Sequence, residues 1–198
     1  MQLVLASSNR GKLAEIAALC SPLGIEVVTA ADLGFDREVP ETGDTFEANA
    51  RLKAAAVSAA LGRPALADDS GLVVAALGGA PGVYSARYAG PGADDAANNA
   101  KLLAELAGVP PEKRGAAFEC VMLCRRPDGA ELMAAGRLEG RIALAPAGEG
   151  GFGYDPVFEL PGRGLTVAQL GPGEKNAISH RGQALRKLAK GLKDFLGG

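Results

Sequence analysis

The first part of the chain alternates between a strand pattern and a helix pattern. Residues 2–6 (QLVLA) form an apolar run of strand length, and the polar stretch 7–12 follows it. From Leu13 to Cys20, apolar side chains recur at helical spacing, which predicts a helix. Residues 25–29 form another short apolar run and predict a second strand. The predicted order is strand, polar loop, helix, strand.

A polar connection and an alanine-rich helix are predicted next. Residues 30–43 form a polar connection that is long enough to have a function of its own. Asp44, with Glu47 three residues later, is typical of a helix N-terminus, and the alanine-rich run after it predicts a helix. That helix is expected to end at Gly62-Arg63-Pro64, because glycine and proline both favour helix termination.

Two adjacent carboxylates interrupt the next apolar segment. The apolar runs 65–67 and 72–77 are separated by Asp68-Asp69-Ser70-Gly71, so the pattern predicts that a strand ends at the aspartates. At such a strand end in an open sheet, the carboxylates would face a cleft. Turns also favour Asp, Ser and Gly, so an ordinary turn is the alternative interpretation.

The second half of the chain adds a hairpin to the alternation of strands and helices. Its predicted elements are a Gly/Pro-rich loop at 78–92, a helix from Asp94 to Gly108, strands at 116–126 and 130–138 around the turn Pro127-Asp128-Gly129, a strand at 141–145, and a final helix from near Ser179. Together these elements predict an α/β protein with a mixed, twisted sheet flanked by helices.

The composition is that of a folded globular protein. The chain has 198 residues, 47% hydrophobic and 22% charged, which predicts a single domain. Its 21 basic and 23 acidic residues give a net charge of −2, which argues against binding of duplex DNA or RNA. The N-terminus lacks a basic leader, and no apolar run has the length of a membrane span. We therefore expect no membrane partner and a cytoplasmic location.

The stretch from Ser7 to Lys12 is a candidate phosphate-binding loop. It lies between a strand and a helix, where backbone N–H groups and the helix dipole favour an anion, and Lys12 adds a positive charge. Its spacing is not that of a P-loop, which requires GxxxxGK[ST]. The alternative is an ordinary helix start capped by Ser or Asn, with Lys12 in solvent.

The acidic pair Asp68 and Asp69, together with Glu41 in the polar connection, is a candidate metal site. Hard cations such as Mg²⁺ prefer carboxylate oxygens, whereas one histidine and scattered cysteines are too few for a zinc site. A carboxylate beside such a metal could also take a proton from an attacking water.

Two later segments are candidate nucleotide contacts. In 150–156, glycines permit close approach of a flat ligand, Phe152 and Tyr154 offer aromatic faces, and Asp155 could accept from ring N–H groups. The alternative is a loop that packs its aromatic side chains into the core.

Near the last helix, three further side chains could bind a phosphate or a purine carbonyl, namely Lys175, His180 and Arg181. The alternative for His180 is a solvated or capping residue, since nothing places a nucleophilic Ser or Cys beside it.

Taken together, these segments resemble the inosine triphosphate pyrophosphatase family, the house-cleaning nucleoside triphosphate pyrophosphatases. Six strings carry the resemblance in order: SSNRGKLAEI at 7–16, ETGDTFEANA at 41–50, ALADDSGL at 65–72, GGAPGVYSARYAG at 78–90, GGFGYDPVF at 150–158 and SHRGQAL at 179–185. The resemblance implies one domain of two lobes with a central substrate cleft, and a homodimer. It also implies Mg²⁺-dependent hydrolysis of ITP, dITP or XTP to the monophosphate and pyrophosphate.

The same resemblance implies roles for individual residues. Glu41 and Asp69 are similar to the family's metal ligands, and Asp69 also resembles its general base, with Asp68 as support. The residues that resemble substrate contacts are Ser7, Ser8, Asn9, Arg10, Gly11, Lys12, Ser70, Phe152, Gly153, Tyr154, Asp155, Lys175, His180 and Arg181.

One position departs from the family pattern. The family commonly has Phe-x-Glu-Asn-Ala after ETG, whereas this chain has Phe46-Glu47-Ala48-Asn49-Ala50. A shift by one residue turns a helical side chain by about 100°, so Glu47 cannot inherit the role of the missing acid. If that acid supports the metal, Asp44 or a water is expected to substitute.

The resulting hypothesis is that Mg²⁺, held by Glu41 and Asp69, bridges phosphate oxygens while Asp69 activates a water. The water attacks the α-phosphorus, and pyrophosphate leaves. Two alternatives stay open: a nucleotide sensor that does not hydrolyse its ligand, and a pyrophosphatase for pyrimidine or methylated triphosphates.

Overall fold

A mixed sheet with helices organises the chain. The computed structural model describes residues 1–7 and 9–197. Within them, the strands are β1 Gln2–Leu5, β2 Glu26–Thr29, β3 Ala65–Val74, β4 Gly115–Arg125, β5 Glu131–Ile142, β6 Phe158–Leu160 and β7 Leu165–Thr166. The helices are α1 Arg10–Cys20, α2 Phe46–Leu61, α3 Asp95–Glu105, α4 Pro172–Ile178 and α5 His180–Gly197. The strand order is β2-β1-β3-β4-β5-β6-β7, which confirms the predicted α/β class.

The sheet combines parallel and antiparallel pairing. Strand β1 is parallel to both of its neighbours, and Leu5 lies opposite Thr29 of β2 and Leu66 of β3. Parallel neighbours need a crossover between them, and α1 and α2 lie in the two connections. Strand β6 is antiparallel to β5 and to β7, so the sheet is mixed, as predicted.

The chain divides into two compact units. Unit 1 comprises Met1–Asp69, Cys120–Gly136 and the chain from His180 onward, and unit 2 comprises Ser70–Glu119 and Arg137–Ser179. The expectation of one domain with a central substrate cleft stays a prediction.

Unit 1 has an apolar layer on each face of its strands. Side chains of β1 and β3 alternate between the layers, because successive strand residues point to opposite faces. Leu3 and Leu5 pack with side chains of α1 and α5, whereas Val4 packs with side chains of α2. Both faces of β1 are therefore buried, which explains why its sequence reads as an unbroken apolar run.

Unit 2 has an apolar core of its own. Phe118 of β4 stacks on Phe158 of β6 with ring centroids 4.3 Å apart. Leu102 of α3 and Tyr154 belong to the same buried cluster.

Local signals located several element boundaries correctly. Asn9 caps α1, Asp94 caps α3, and Gly62 ends α2 in a left-handed conformation. The predicted turn before β5 is present, with Gly129 at a φ of +92°. In each case the signal is a side chain or a glycine that acts on its own neighbours in sequence.

The prediction of a strand end at the two aspartates is wrong, and so is the alternative of a turn. Strand β3 runs without a break from Ala65 to Val74, with Asp68 and Asp69 inside it. Both aspartates are buried, and each pairs with a lysine from another part of the chain, Asp68 Oδ2 with Lys12 and Asp69 Oδ1 with Lys53. The strand therefore continues through residues that would otherwise require water.

Other corrections concern shorter features. Thr45, not Asp44, caps α2, and its side chain accepts from the Ala48 N–H at 3.1 Å. Of the strand expected at 141–145, only Arg141 and Ile142 are in a strand, as the end of β5, and 143–145 lie outside it. The sequence patterns also missed β6, β7 and α4, which are too short to show a clear period. Among the described residues, no helix combines the length and apolar character needed to cross a membrane.

A close contact in unit 1 generates a stability prediction. A Cβ added at Gly136 of β5 would lie 2.0 Å from the carbonyl oxygen of His180 and 2.7 Å from the amide nitrogen of Ala184. Because both atoms belong to the α5 backbone, Gly136→Ala should lower the free energy of unfolding by about 1–3 kcal/mol or more. Urea unfolding measures this change.

The matched control is Gly191→Ala in α5, where the new Cβ would meet only Leu132 at an ordinary 3.7 Å. This variant should gain about 0.5–1 kcal/mol, because alanine has the higher helix propensity. Equal effects of the two substitutions would contradict the packing argument.

Candidate active site

The alternation of side chains along β3 sends the two aspartates to opposite faces of unit 1. Leu66 belongs to the layer with α1 and α5, whereas Ala65 and Ala67 belong to the layer with α2. Asp68 therefore continues the Leu66 face, and Asp69 continues the Ala67 face. The two adjacent acids consequently meet different helices and have different partners.

Asp68 lies in a buried network of charges. Its Oδ2 is 3.0 Å from Lys12 Nζ and 3.4 Å from Arg181 Nε, and Arg181 also pairs with Glu15. Burial by itself would raise the pKa of Asp68, but the positive charges of Lys12, Arg181 and Lys53 outweigh it and the pKa is lowered. Asp68 is therefore an anion that holds the ammonium of Lys12 in place.

The first turn of α1 positions Lys12. Asn9 accepts a hydrogen bond from the Lys12 N–H at 3.0 Å, and its own N–H donates to Ser7 Oγ at 3.3 Å. The alternative interpretation was right about an Asn cap but wrong about a solvated lysine, since the Lys12 side chain is only 15% exposed. In the rest of the loop, Arg10 is exposed and Gly11 is half-buried, and Ser8 lies outside the described residues.

Asp69 and Glu41, the predicted metal ligands, share one cation. Lys53 Nζ lies 3.0 Å from Asp69 Oδ1 and 2.8 Å from Glu41 Oε1. Burial raises the pKa of Asp69, the positive charge of Lys53 lowers it, and the negative charge of Glu41 raises it further. Together these effects leave the pKa of Asp69 above its usual value. Burial would lower the pKa of Lys53, but the surrounding carboxylates reverse that effect and raise it.

Asn49 holds the other oxygen of Asp69. Its Nδ2 donates to Asp69 Oδ2 at 3.2 Å, and its Oδ1 accepts from the Gly43 N–H at 2.8 Å. Sequence reasoning missed both Asn49 and Lys53 as members of the site. They are four residues apart and so share one face of α2, and polar residues on the alanine-rich face of a buried helix were the available signal.

The segment that departs from the family pattern has its own contacts. Glu47 pairs with Arg51 at 2.9 Å, and both side chains are half-exposed. A Cβ on Gly43 would lie 2.6 Å from the Ala48 Cβ, so Ala48 packs closely against this loop. Asp44 is exposed. The expectation that Asp44 or a water takes the role of the missing acid stays a prediction.

The donor set of this cluster suits a divalent cation. Glu41 and Asp69 converge on one positive charge, and both supply carboxylate oxygens. Among residues 1–7 and 9–197, no group of three or more His, Cys, Asp and Glu side chains is arranged to hold a metal. Mg²⁺ usually takes one or two protein carboxylates and completes its shell with water and substrate phosphates, so a carboxylate pair is sufficient.

In unit 2, a buried carboxylate organises the predicted base-binding loop. Asp155 Oδ2 accepts from the Phe152 N–H at 2.9 Å and from Lys175 Nζ at 2.8 Å. The Lys175 ammonium also lies 4.4 Å from the centroid of the Phe152 ring, within the range of a cation–π interaction. Gly151 has a φ of +76°, and a Cβ there would lie 2.0 Å from Asp155 Oδ2. Asp155 therefore shapes the loop from inside.

The next peptide of that loop is held from α3. The Gly153 N–H donates to Asp95 at 2.6 Å, and the Gly153 carbonyl accepts from Asn99 at 2.9 Å. Tyr154 is 5% exposed, packs in the core, and donates its hydroxyl hydrogen to the Ser85 carbonyl at 2.8 Å. Tyr154 therefore packs into the core, as the alternative interpretation of this loop expected, whereas Phe152 is only half-buried.

The remaining predicted contacts occupy different environments. His180 begins α5 and is 7% exposed, so it is not a solvated residue. Arg181 is 2% exposed and pairs with Asp68 and Glu15, while Ser70 is half-buried in β3. Their contacts with a nucleotide stay predictions.

Comparison with known proteins places the chain in a family. The model of the Ham1 family matches residues 3–191. The chain belongs to the Ham1 family. The resemblance that the six strings carry is thereby confirmed.

Ham1 relatives match this chain along almost its whole length. The dITP/XTP pyrophosphatase of Geobacillus kaustophilus (strain HTA426) is 53% identical, covering 100% of this chain and 97% of the relative. The dITP/XTP pyrophosphatase of Yersinia pseudotuberculosis serotype I (strain IP32953) is 51% identical, with 98% of each chain covered. The solved structure of a HAM1 protein from Coxiella burnetii has a TM-score of 0.89 at 45% identity, covering 98% of this chain and 99% of that one.

The buried network predicts how the stability of this Ham1 protein depends on pH. The pKa of Asp68 is lowered from 3.8 on folding. The contribution of the ionised Asp68 to the free energy of unfolding is therefore fully present above pH 3.8 and is lost as the pH falls toward the folded pKa. Asp68→Asn leaves Lys12 and Arg181 without this charge and should cost about 3–5 kcal/mol at neutral pH. The difference from wild type should shrink as the pH falls below 3.8.

Urea unfolding across this pH range measures the effect, and Asp194→Asn, an exposed aspartate on α5, is the control. If the difference in free energy of unfolding between wild type and Asp68→Asn grew on acidification, Asp68 would not be the buried anion described above.

Proposed function

We propose that this protein hydrolyses deaminated purine nucleoside triphosphates, namely ITP, dITP and XTP, to the monophosphate and pyrophosphate. The observation that supports it best is the ion cluster of unit 1, in which Lys12 and Lys53 meet the carboxylates Asp68, Asp69 and Glu41. Two relatives that cover nearly the whole chain are named dITP/XTP pyrophosphatase, which agrees with this reaction.

Enzymes of this class generally need a divalent metal, and we propose Mg²⁺ held by Glu41 and Asp69. When bound, it would neutralise phosphate charge and lower the pKa of a bound water. Two carboxylates suit this ion because phosphate oxygens and water complete its shell.

Lys12 and the start of α1 would bind the triphosphate. The N-terminal N–H groups of α1 and the positive end of its dipole favour an anion, and the Lys12 ammonium lies on the same first turn. Asp68 fixes that ammonium at 3.0 Å, so the charge is in position before the substrate arrives. Preorganised positive charge of this kind is the main protein contribution to phosphoryl transfer.

Asp69 would take the proton of the attacking water. As a carboxylate beside the proposed metal, Asp69 could accept a proton from a metal-bound water. Asn49 donates to Oδ2 at 3.2 Å, which orients the carboxylate. The water then attacks the α-phosphorus, and pyrophosphate is the leaving group.

The loop around Phe152 would bind the base. Phe152 offers a half-buried ring for stacking, and Lys175 beside it provides a donor for a purine carbonyl. A donor that meets the 6-keto oxygen of hypoxanthine or xanthine would face the 6-amino group of adenine without a partner. Such a buried mismatch costs about 1–3 kcal/mol, which disfavours ATP.

Two further features stay predictions, namely the homodimer that the family resemblance implies and the cytoplasmic location that we expect from the sequence. Sedimentation of the purified chain tests the first, and fractionation of cells that express it tests the second.

The proposed activity predicts a substrate order. With Mg²⁺, ITP and XTP should exceed ATP and GTP in kcat/KM, and ATP should fall behind by roughly tenfold or more if one hydrogen bond is lost. A coupled assay that distinguishes pyrophosphate from orthophosphate measures each nucleotide. Binding without pyrophosphate release would favour a sensor, and faster release from pyrimidine or methylated triphosphates would favour another pyrophosphatase.

The proposed base predicts the behaviour of Asp69→Asn. This variant removes the proton acceptor and one carboxylate charge, so kcat should fall by at least about 10²-fold, while nucleotide binding measured without metal changes little. Steady-state kinetics and equilibrium binding measure the two effects. The control is Asp194→Asn, which should keep wild-type kinetics, and near wild-type turnover by Asp69→Asn would remove Asp69 from this role.

A further inference from the structure

Lys53 holds the two carboxylates to which the metal is assigned. Its Nζ lies 2.8 Å from Glu41 Oε1 and 3.0 Å from Asp69 Oδ1, and its side chain is 12% exposed. Two carboxylates close to one another repel, and an ammonium between them reduces that repulsion. Lys53 therefore provides the kind of charge compensation that a divalent cation also provides.

A divalent cation and this ammonium would bind the same two carboxylates. A cation bound by Glu41 and Asp69 would lie close to Lys53, which now donates hydrogen bonds to Glu41 Oε1 and Asp69 Oδ1. Two positive charges at such a short separation also repel strongly, and water screens that repulsion less in a largely buried site. The two cations therefore compete for one place.

The contacts indicate which part of this cluster can move. Asn49 holds Asp69 Oδ2 at 3.2 Å and is itself fixed by the Gly43 N–H at 2.8 Å, so Asp69 keeps an orienting bond that does not involve Lys53. Asn49 is fully buried. Lys53 instead carries its charge at the end of a flexible four-carbon stem. The carboxylate is thus the fixed component, and the ammonium is the mobile one.

We propose that Lys53 and the divalent cation exchange at Glu41 and Asp69, so that Lys53 weakens metal binding until a triphosphate arrives. The inference rests on the proposed function, since the metal and the triphosphate are those of that reaction. An ammonium displaced from two carboxylates needs a new anionic partner, and a triphosphate supplies one. Metal and triphosphate then strengthen each other's binding, and this coupling is reciprocal.

The test measures metal binding to the full chain without nucleotide. Mn²⁺ replaces Mg²⁺ as the probe, because its paramagnetic resonance signal reports the unbound ion. Lys53→Met removes the charge at similar side-chain length, Lys53→Arg keeps the charge, and Lys190→Met removes an exposed charge from α5. Lys53→Met should bind Mn²⁺ at least about tenfold more tightly than wild type, while the other two variants should bind it as wild type does.

A second titration tests the coupling. Saturating tripolyphosphate should tighten Mn²⁺ binding by wild type at least about fivefold more than it tightens binding by Lys53→Met. Tripolyphosphate also chelates Mn²⁺ in solution, but equally in both titrations, so the difference between the proteins measures the exchange.

The outcomes separate this inference from the proposed function. Equal Mn²⁺ affinities of wild type and Lys53→Met would overturn the exchange, even if wild type hydrolyses ITP normally. Absence of metal-dependent hydrolysis in wild type would overturn the proposed function instead. If Lys53→Met is unfolded without metal, circular dichroism is followed during the Mn²⁺ titration. Refolding by Mn²⁺ then supports the exchange, and failure to refold at any Mn²⁺ concentration counts against it.

Discussion

The structure of unit 1 depends on how two adjacent carboxylates are neutralised inside a buried strand. Burying an aspartate is costly unless an opposite charge and hydrogen bonds replace the lost water. Strand alternation sends Asp68 toward α1 and α5 and Asp69 toward α2, so that each helix contributes a compensating side chain. The same ion pairs that make the strand possible therefore hold Lys12 and Arg181 at one face of β3 and Lys53 at the other.

The proposed function gives this arrangement a role besides stability. Buried ion pairs often stabilise a fold no more than apolar side chains of similar volume would. Their advantage is that charges stand in fixed positions before a ligand binds, so that little reorganisation is needed during reaction. Lys12 is held by Asp68, and Asp69 is held by Asn49, at opposite faces of one strand.

Unit 2 uses the same physical device in a loop. Asp155 is buried, accepts from the Phe152 backbone and pairs with Lys175, while Asp95 and Asn99 hold the Gly153 peptide. The glycine at 151 is required because a Cβ there would meet the Asp155 carboxylate at 2.0 Å. In both units an internal acid therefore fixes a lysine that a phosphate or a base could meet.

The sequence alone determined the features that depend on neighbouring residues. The α/β class, the caps Asn9 and Asp94, the end of α2 at Gly62 and the hairpin turn all follow from local patterns, and six strings identified the family. Tertiary structure decided that Asp68 and Asp69 lie within a strand, that Lys53 and Asn49 contact Asp69, and that Tyr154 lies in the core. The reason is physical: caps and turns act over a few residues, whereas Arg181 and Asp68 are 113 positions apart and meet only when strand and helix pack together.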